Sequence, residues 1–571
     1  MTNQFRVLYR EFLFRMIDLD MLSAQGDAGR LFGQFAGLLV YFSSMLGLGA
    51  FFFDARRMTP EKLLLTNWGT EHFLISTTML VVGLFAVLSW DSTFLDRRDV
   101  FVLAPLPISG RTLFLAKVAA SAAALSITVA ALNVGTGLTW PMIFMPAGSG
   151  FLGLLRCYAA YWIAMFAAGA FIFCSVLVVQ GLAAQLPRRR FLRLSAFLQM
   201  GAFCLFLCVY FLQPSLASPR ALAAAGNQRL LATLPSYWFW GMFQALNGST
   251  ARQPAIALLV RRAWTGLALA AFGAAAAFLL SYFRTLRKIV EEPDIVPAAR
   301  GFAWPLPFGN SLATAVVLFS ARTLVRSRQH RLILAFYLGL GFTMVIFLMK
   351  ALLAQQERLG ASTGVLSHQA NAPLLASTVV MMSAWVFGVR IVFAMPLELR
   401  ANWIFRVTSV RKTAEYLAAS RRPLFVLAVA PVWLGSAALL CSIWPWRAVL
   451  QHLVVLGLWG MILAYASLYG FQKIPFTCSY LPGKSNMTFA FLGFWVYVNL
   501  VAGGANLERR ALDRPASFAA MAAVLMAAML CVRWRTIARA KSEESEVQFE
   551  ETMPPAILVL GLNRDGVVPL R

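Results

Sequence analysis

Long apolar runs alternate with short polar segments along almost the whole chain. A helix needs about 20 apolar residues to cross a hydrocarbon core of about 30 Å, because each residue adds about 1.5 Å. Twelve runs approach or exceed that length, and the pattern therefore predicts an all-α polytopic membrane protein. The predicted spans are 31–53, 73–90, 113–133, 157–183, 193–213, 254–282, 332–354, 374–394, 423–443, 447–470, 488–505 and 516–533.

The order of polar segments predicts two six-span halves joined by a polar bridge. Each half begins with an arginine-rich amphipathic segment, so the halves are interpreted as pseudo-repeats. In the first such segment, Phe5, Leu8, Phe12 and Leu19 are expected to face lipid. The predicted divisions are an interfacial helix at 1–30, a first half at 31–290, a cytoplasmic linker with a second amphipathic helix at 291–331, a second half at 332–541 and a cytoplasmic tail at 542–571.

Composition supports the membrane assignment, since 60% of the 571 residues are apolar and 13% are charged. Of the 50 Lys and Arg residues, 33 lie in segments that would be cytoplasmic if the N-terminus is inside, against 12 in the outer segments. This asymmetry predicts that both termini are cytoplasmic, and it fits a bacterial inner membrane. The net charge of +26 is then explained by basic loops facing anionic membrane lipids, with no nucleic-acid partner.

Residues that carry enzyme chemistry are sparse and scattered. The histidines (His72, His330, His368 and His452) have no metal-ligand spacing, and Gly483-Lys484-Ser485 lacks the first glycine of a phosphate-binding loop. No Asp or Glu falls in the middle of a predicted span, which disfavours an ion-coupled carrier. We therefore predict no catalytic, cofactor-binding or metal-binding residue in the chain itself, and no nucleotide-binding domain.

The most informative polar segment is the inner loop from Asp91 to Lys117, which follows the second predicted span. Its prolines should stop a helix and fix a bend, and Ser109 should cap the next helix. A fainter copy begins at Pro396, where Ser409 and Arg411 repeat Ser109 and Arg111 300 residues later. A merely solvated loop that its charges hold in the cytoplasm is the alternative interpretation.

The first loop resembles the inner loop of ABC-2 type exporter permeases, in which a leucine-rich segment, Pro-(Ile/Val)-Ser, a basic residue and a later lysine surround the coupling helix. The second loop departs from that pattern, with Val407 in place of Pro107 and Leu417 in place of Lys117. The positions in the first loop that carry the resemblance are Leu106, Pro107, Ile108, Ser109, Arg111, Leu115, Ala116 and Lys117.

The resemblance implies a transport subunit that works with a separate cytosolic ATPase, in two copies, to which ATP and Mg²⁺ bind. No cofactor is expected on this chain. The first candidate contact set is Arg97, Arg98, Phe101, Leu103, Pro107, Ser109 and Arg111. The second candidate contact set is Glu398, Arg400, Arg406, Ser409, Arg411 and Lys412.

Two other functions stay open at this point, an ion-coupled secondary transporter without an ATPase and a membrane-embedded lipid-modifying enzyme. The tryptophan-rich run at 234–246 is interpreted as an interfacial or re-entrant helix, and in the ABC-2 resemblance such an element helps to close the outer gate. A simple membrane-surface anchor is the competing interpretation of that run.

Overall fold

The computed structural model is helical apart from one short pair of strands. It describes the chain except residues 1, 18–27, 52–58, 94–102, 104–105, 147, 217–231, 249–253, 292–307, 309, 359–369, 396–412, 470–473, 477–486, 542–557, 560–567 and 570–571. The chain divides into two compact units, Met1–Gly301 (unit 1) and Phe302–Arg571 (unit 2).

Unit 1 is built around long apolar helices that pack side by side. Its helices are α1 (Thr2–Ile17), α2 (Ala28–Leu48), α3 (Pro60–Leu88), α4 (Trp90–Thr93), α5 (Gly110–Phe144), α6 (Gly150–Ala184), α7 (Arg188–Leu216), α8 (Pro235–Asn247) and α9 (Pro254–Glu291). α5 packs against α1, α2 and α6, and the short helix α8 packs against α3, α6 and α9.

Unit 2 begins with a short helix and then has a second set of apolar helices. They are α10 (Ser311–Arg326), α11 (Arg328–Arg358), α12 (Ala372–Phe393), α13 (Thr413–Leu424), α14 (Ala430–Cys441), α15 (Trp446–Ser467), α16 (Met487–Leu512) and α17 (Pro515–Lys541). The strands β1 (Leu558–Val559) and β2 (Val568–Pro569) pair antiparallel. α12 packs against α11, α15 and α16, and α15 also packs against α17.

Eight helices in the described part of the chain are long and apolar enough to cross a membrane, or nine if a pair bent by 84° at 326–330 forms one span. The prediction of twelve spans is therefore not confirmed, although every predicted span falls on a helix. The described apolar parts of α2 and α7 are only Ala36–Leu48 and Phe197–Phe211. α16 carries Glu508, Arg509 and Arg510 near its end.

The N-terminal segment is helical over Thr2–Ile17, but the expectation that its apolar residues face lipid is wrong for two of them. Leu8 and Phe12 are buried within the core of unit 1, with Phe12 only 1% exposed, and Phe5 packs against that core. Leu19 lies outside the described residues. The apolar stripe of α1 covers α5 because protein side chains offer it closer packing than lipid chains do.

Two glycines allow α2 and α5 to meet backbone to backbone. A Cβ added at Gly135 would lie 2.7 Å from the backbone of Ser44, and one added at Gly47 would lie 2.8 Å from the carbonyl oxygen of Gly135. The buried Ser43 Oγ accepts from the amides of Gly135 and Thr136 at 2.9 and 3.2 Å. Small residues at a helix crossing provide the van der Waals contact that holds helices together in lipid.

A π-helical turn, Phe425–Val429, joins α13 to α14 in unit 2. Pro431 has no amide hydrogen, so it cannot donate to the carbonyl of Leu427 one turn earlier. The indole nitrogen of Trp385 on α12 donates to that carbonyl instead, at 2.9 Å. The irregular turn is thus satisfied by a neighbouring helix, as backbone inside a membrane has to be.

Candidate functional site

The loop that follows α4 ends in a tight turn, residues 106–111, which we call the elbow. Ser109 has extended backbone angles and its Oγ accepts from the amide of Thr112 at 3.2 Å, so the predicted N-cap of α5 is confirmed. The amide of Ile108 donates to the carbonyl of Leu106 at 2.7 Å, which closes the turn. The side chains of Leu106, Pro107 and Arg111 are exposed.

The elbow is attached firmly to the body of unit 1. Leu103 and Ile108, on either side of the bend, both pack against the hydrophobic core. α5 then continues without interruption for 35 residues, or about 50 Å. A displacement applied at the elbow is therefore carried along one continuous helix.

Other residues of the predicted contact sets lie outside the described residues. In the first loop these are Arg97, Arg98 and Phe101. In the second loop they are all six, namely Glu398, Arg400, Arg406, Ser409, Arg411 and Lys412. Their contacts with a partner stay predictions.

Lys117, about two turns from the start of α5, is 1% exposed. Its Nζ lies 4.4 Å from the centroid of the Phe12 ring on α1. A cation over a desolvated aromatic face is attracted by the ring quadrupole. The lysine that carries part of the family resemblance therefore takes part in docking α1 onto α5.

We expect Phe12→Leu to loosen α1 from α5 by about 2 kcal/mol, because it keeps most of the apolar burial but removes the ring beneath Lys117. Limited proteolysis of α1 in purified protein measures the effect. Val7→Leu is the matched control, since Val7 on the same helix is 68% exposed. Equal cleavage rates for the two variants would contradict this role of the ring.

A buried carboxylate connects α3 with α8. Glu71 is 4% exposed and its Oε2 accepts from Nε1 of Trp240 at 2.9 Å and from Nε2 of Gln244. Next to it, His72 Nε2 lies 3.0 Å from Ser236 Oγ, and the His72 ring stacks on Tyr237 with centroids 4.2 Å apart. The first turn and the middle of α8 are thus held by two consecutive residues of α3.

These contacts decide between the two interpretations of the tryptophan-rich run. α8 has 13 residues, about 20 Å, so it is too short to span a bilayer. Tyr237, Phe239, Trp240 and Phe243 are all buried inside unit 1. A membrane-surface anchor would expose these aromatic side chains to lipid, so that interpretation is wrong, and α8 is an internal helix of the unit.

A second buried polar cluster lies in unit 2, where Thr378, His452 and Glu508 come from α12, α15 and α16. His452 Nε2 is 2.8 Å from Thr378 Oγ1, and His452 Nδ1 is 2.7 Å from Glu508 Oε1. His452 is 0% exposed and Glu508 is 2% exposed. The order of the contacts in space, a hydroxyl to an imidazole to a carboxyl group, is that of a nucleophilic triad.

The hydroxyl of Thr378 has two neighbours that compete for its hydrogen. Its Oγ1 lies 2.8 Å from the carbonyl oxygen of Leu375 and 2.8 Å from His452 Nε2, and its one hydrogen can be donated to either. The nucleophile of a triad has to donate to the imidazole, so the carbonyl of Leu375 competes with that arrangement. On the other side of the ring, His452 Nδ1 and Glu508 Oε1 form a buried hydrogen bond of 2.7 Å.

A cavity of about 1100 Å³ opens beside this pair. Glu508 is one of its lining residues, together with Arg510, Asp513 and Arg514 at the turn between α16 and α17. The apolar lining comes from α12, α15, α16 and α17, and includes Val379, Val455, Trp459, Leu500, Val501, Met521 and Val524.

Sequence reasoning missed both buried carboxylates. Glu71 and Glu508 lie two and three residues outside the apolar windows 73–90 and 488–505, but inside the helices α3 and α16. Glu71 nevertheless lies in the candidate span Lys62–Leu88, so the lack of a carboxylate within the bundle, which disfavoured an ion-coupled carrier, does not hold. Among the described residues, no group of three or more His, Cys, Asp and Glu is arranged to hold a metal ion.

Comparison of the chain with protein-family models, with curated proteins and with solved structures gives no match. Its function has to be argued from its own residues.

Proposed function

We propose that this chain is the membrane-spanning permease of an ATP-driven exporter of the ABC-2 type, working with two copies of a separate cytosolic ATPase. The observation that carries the proposal is the attachment of the elbow to α5. A partner that pushes on the exposed elbow side chains displaces a helix of 35 residues, together with α1 and α2, which are packed against it. A merely solvated loop has no need of such attachment.

The order of helices supports a two-half arrangement. Unit 1 has the short helix α1, then α2 and α3, an inner loop and the long helix α5. Unit 2 has the short helix α10, then α11 and α12, a loop at 396–412 and the joined helices α13 and α14. In this proposal both loops and both termini face the cytoplasm of a bacterial cell, and ATP-driven closure of the ATPase moves the loops together.

Charge reversal at the elbow tests the proposal. We expect the double variant Leu106→Glu and Arg111→Glu to reduce the amount of ATPase that co-purifies with the tagged chain in mild detergent by about tenfold, because two exposed contact side chains become repulsive. The thermal stability of the chain should not change, since Leu106 is 48% exposed and Arg111 is exposed. Arg111→Lys is the matched control and should retain the ATPase.

A wild-type chain that captures no ATPase would overturn the proposal. If the wild type and the double variant capture equal amounts of ATPase, the exporter proposal stands but the elbow is not the site of contact with the ATPase.

The second candidate function is a proton-coupled transporter, and the specific observation that favours it is the buried, hydrogen-bonded pair His452–Glu508. A buried ionisable group in a membrane bundle is by default a functional candidate. Purified chain in vesicles with a pH-sensitive dye inside separates the two functions. In vesicles with the wild-type chain and no nucleotide, an imposed proton gradient should collapse if the chain is a proton-coupled carrier. In vesicles with Glu508→Gln it should then persist. This pair of results would favour the carrier over the exporter.

A further inference from the structure

The cavity of unit 2 has a charged end and an apolar body. The charged end is the turn from α16 to α17, where Arg510, Asp513 and Arg514 line it. From that turn the lining follows α16 back to Leu500 and α17 forward to Leu525, about 15–18 Å in each case at about 1.5 Å per residue. A cavity that long and apolar fits an alkyl chain, with its polar end at the turn.

The three side chains at the turn are available to a ligand. Arg510, Asp513 and Arg514 are exposed, and their side chains make no hydrogen bond or ion pair with any residue that the structure describes. The fourth charged group of the lining, Glu508, is already paired with His452. Two guanidinium groups and one carboxylate therefore remain for the ligand.

We propose that this cavity binds a zwitterionic amphiphile that carries a phosphate and an amine in its head group. Arg510 and Arg514 bind the phosphate, because a planar guanidinium matches two phosphate oxygens at once. Asp513 binds the amine, and the alkyl chain lies along Val455, Leu500 and Val524. Glu508, whose Oε1 is already hydrogen-bonded to His452, forms part of the wall beside the head group. The proposal does not depend on the presence of an ATPase.

A photoactivatable phosphatidylethanolamine with a diazirine in its acyl chain tests the site on the purified full chain. We expect cross-linked peptides from α16 and α17. Unlabelled phosphatidylethanolamine should compete about tenfold better than phosphatidylglycerol with the same acyl chains, which lacks the amine, or than an alkylamine, which lacks the phosphate. Asp513→Asn should abolish the preference over phosphatidylglycerol. Equal competition by all three would overturn the proposal.

Two glycines of the lining allow the cavity to be filled without disturbing the fold. A Cβ added at Gly503 or at Gly504 meets no heavy atom within 4 Å. Gly503→Leu with Gly504→Leu should reduce cross-linking at least about fivefold. Gly201→Leu on α7 is the matched control, because its added Cβ is equally unobstructed and lies in the other unit. Undiminished cross-linking in the filled variant would also overturn the proposal.

The same head-group chemistry has two possible sources, a two-chain lipid from the bilayer or a single-chain amphiphile from water. Lysophosphatidylethanolamine as a competitor distinguishes them. Competition equal to that of the two-chain lipid supports entry from water, and weaker competition supports a membrane lipid. Both results confirm the head-group site, whereas competition by neither compound overturns it.

Discussion

Replacing Glu508 by alanine is expected to destabilise unit 2 by about 3–5 kcal/mol, one of the two largest effects that we predict for a single side chain. The change leaves His452, which is 0% exposed, without the carboxylate that shares its proton. Removing one partner of a buried pair costs far more than the pair itself contributes, because the remaining group stays desolvated. Unfolding in a graded denaturing detergent, followed by circular dichroism, measures the loss.

The control variants distinguish the loss of stability caused by breaking the His452–Glu508 contact from the general effect of removing a charged side chain. Glu508→Gln should cost only about 1 kcal/mol, since its side-chain amide has both a donor and an acceptor with which to keep a hydrogen bond to Nδ1. Asp513→Asn, an exposed acid of the same helical hairpin, should change stability by less than about 0.5 kcal/mol. In a double-mutant cycle, His452→Ala should remove most of the cost of Glu508→Ala. Additive costs would show that the two residues do not act as a pair.

The second large effect is expected at Glu71. Glu71→Ala leaves two buried donors, Nε1 of Trp240 and Nε2 of Gln244, without an acceptor. Each unsatisfied donor costs about 1–3 kcal/mol, so α8 should separate from α3 before the rest of unit 1 unfolds. Hydrogen–deuterium exchange of residues 235–247 measures this, and we expect it to accelerate strongly in the variant.

Glu71→Gln supplies the comparison, because its side-chain oxygen still accepts from both donors. It should retain most of the protection of α8. Thr66→Ala, in the same helix, removes a hydroxyl that donates to the carbonyl of Lys62 and should leave α8 unaffected. If Glu71→Ala exchanges at the wild-type rate, Glu71 does not hold α8, and the contacts of His72 with Ser236 and Tyr237 and the aromatic packing of the helix are sufficient.

The fold class could be predicted from the sequence because it follows from local signals. Runs of apolar residues about 20 long produce helices wherever they occur, and every predicted span falls on one. Ser109 after Pro107 is a local capping signal, and the structure has the cap. α1 was also recognised as amphipathic, but amphipathicity does not say whether the apolar face meets lipid or protein. The burial of Phe12 could not be read from its own helix.

The buried polar clusters could not be predicted, for two physical reasons. The first is that helices extend beyond their apolar windows, so Glu71 and Glu508 seemed to lie in loops although a neighbouring helix covers each of them. The second is distance along the chain. Glu71 and Trp240 are 169 residues apart, and His452 and Glu508 are 56 apart. Only the packing of the helices brings such partners together, and no spacing rule reports it.

The glycine crossing between α2 and α5 gives distance measurements on this protein an internal reference. Because Gly47 and Gly135 bring the two backbones into contact, the helices cannot slide past each other without a clash. Spin labels at Leu38 and Leu138, each 61% exposed, should report one narrow interspin distance under every condition. Pulsed electron resonance can then assign any distance that does change to another part of the chain, with this pair as the fixed reference in the same sample.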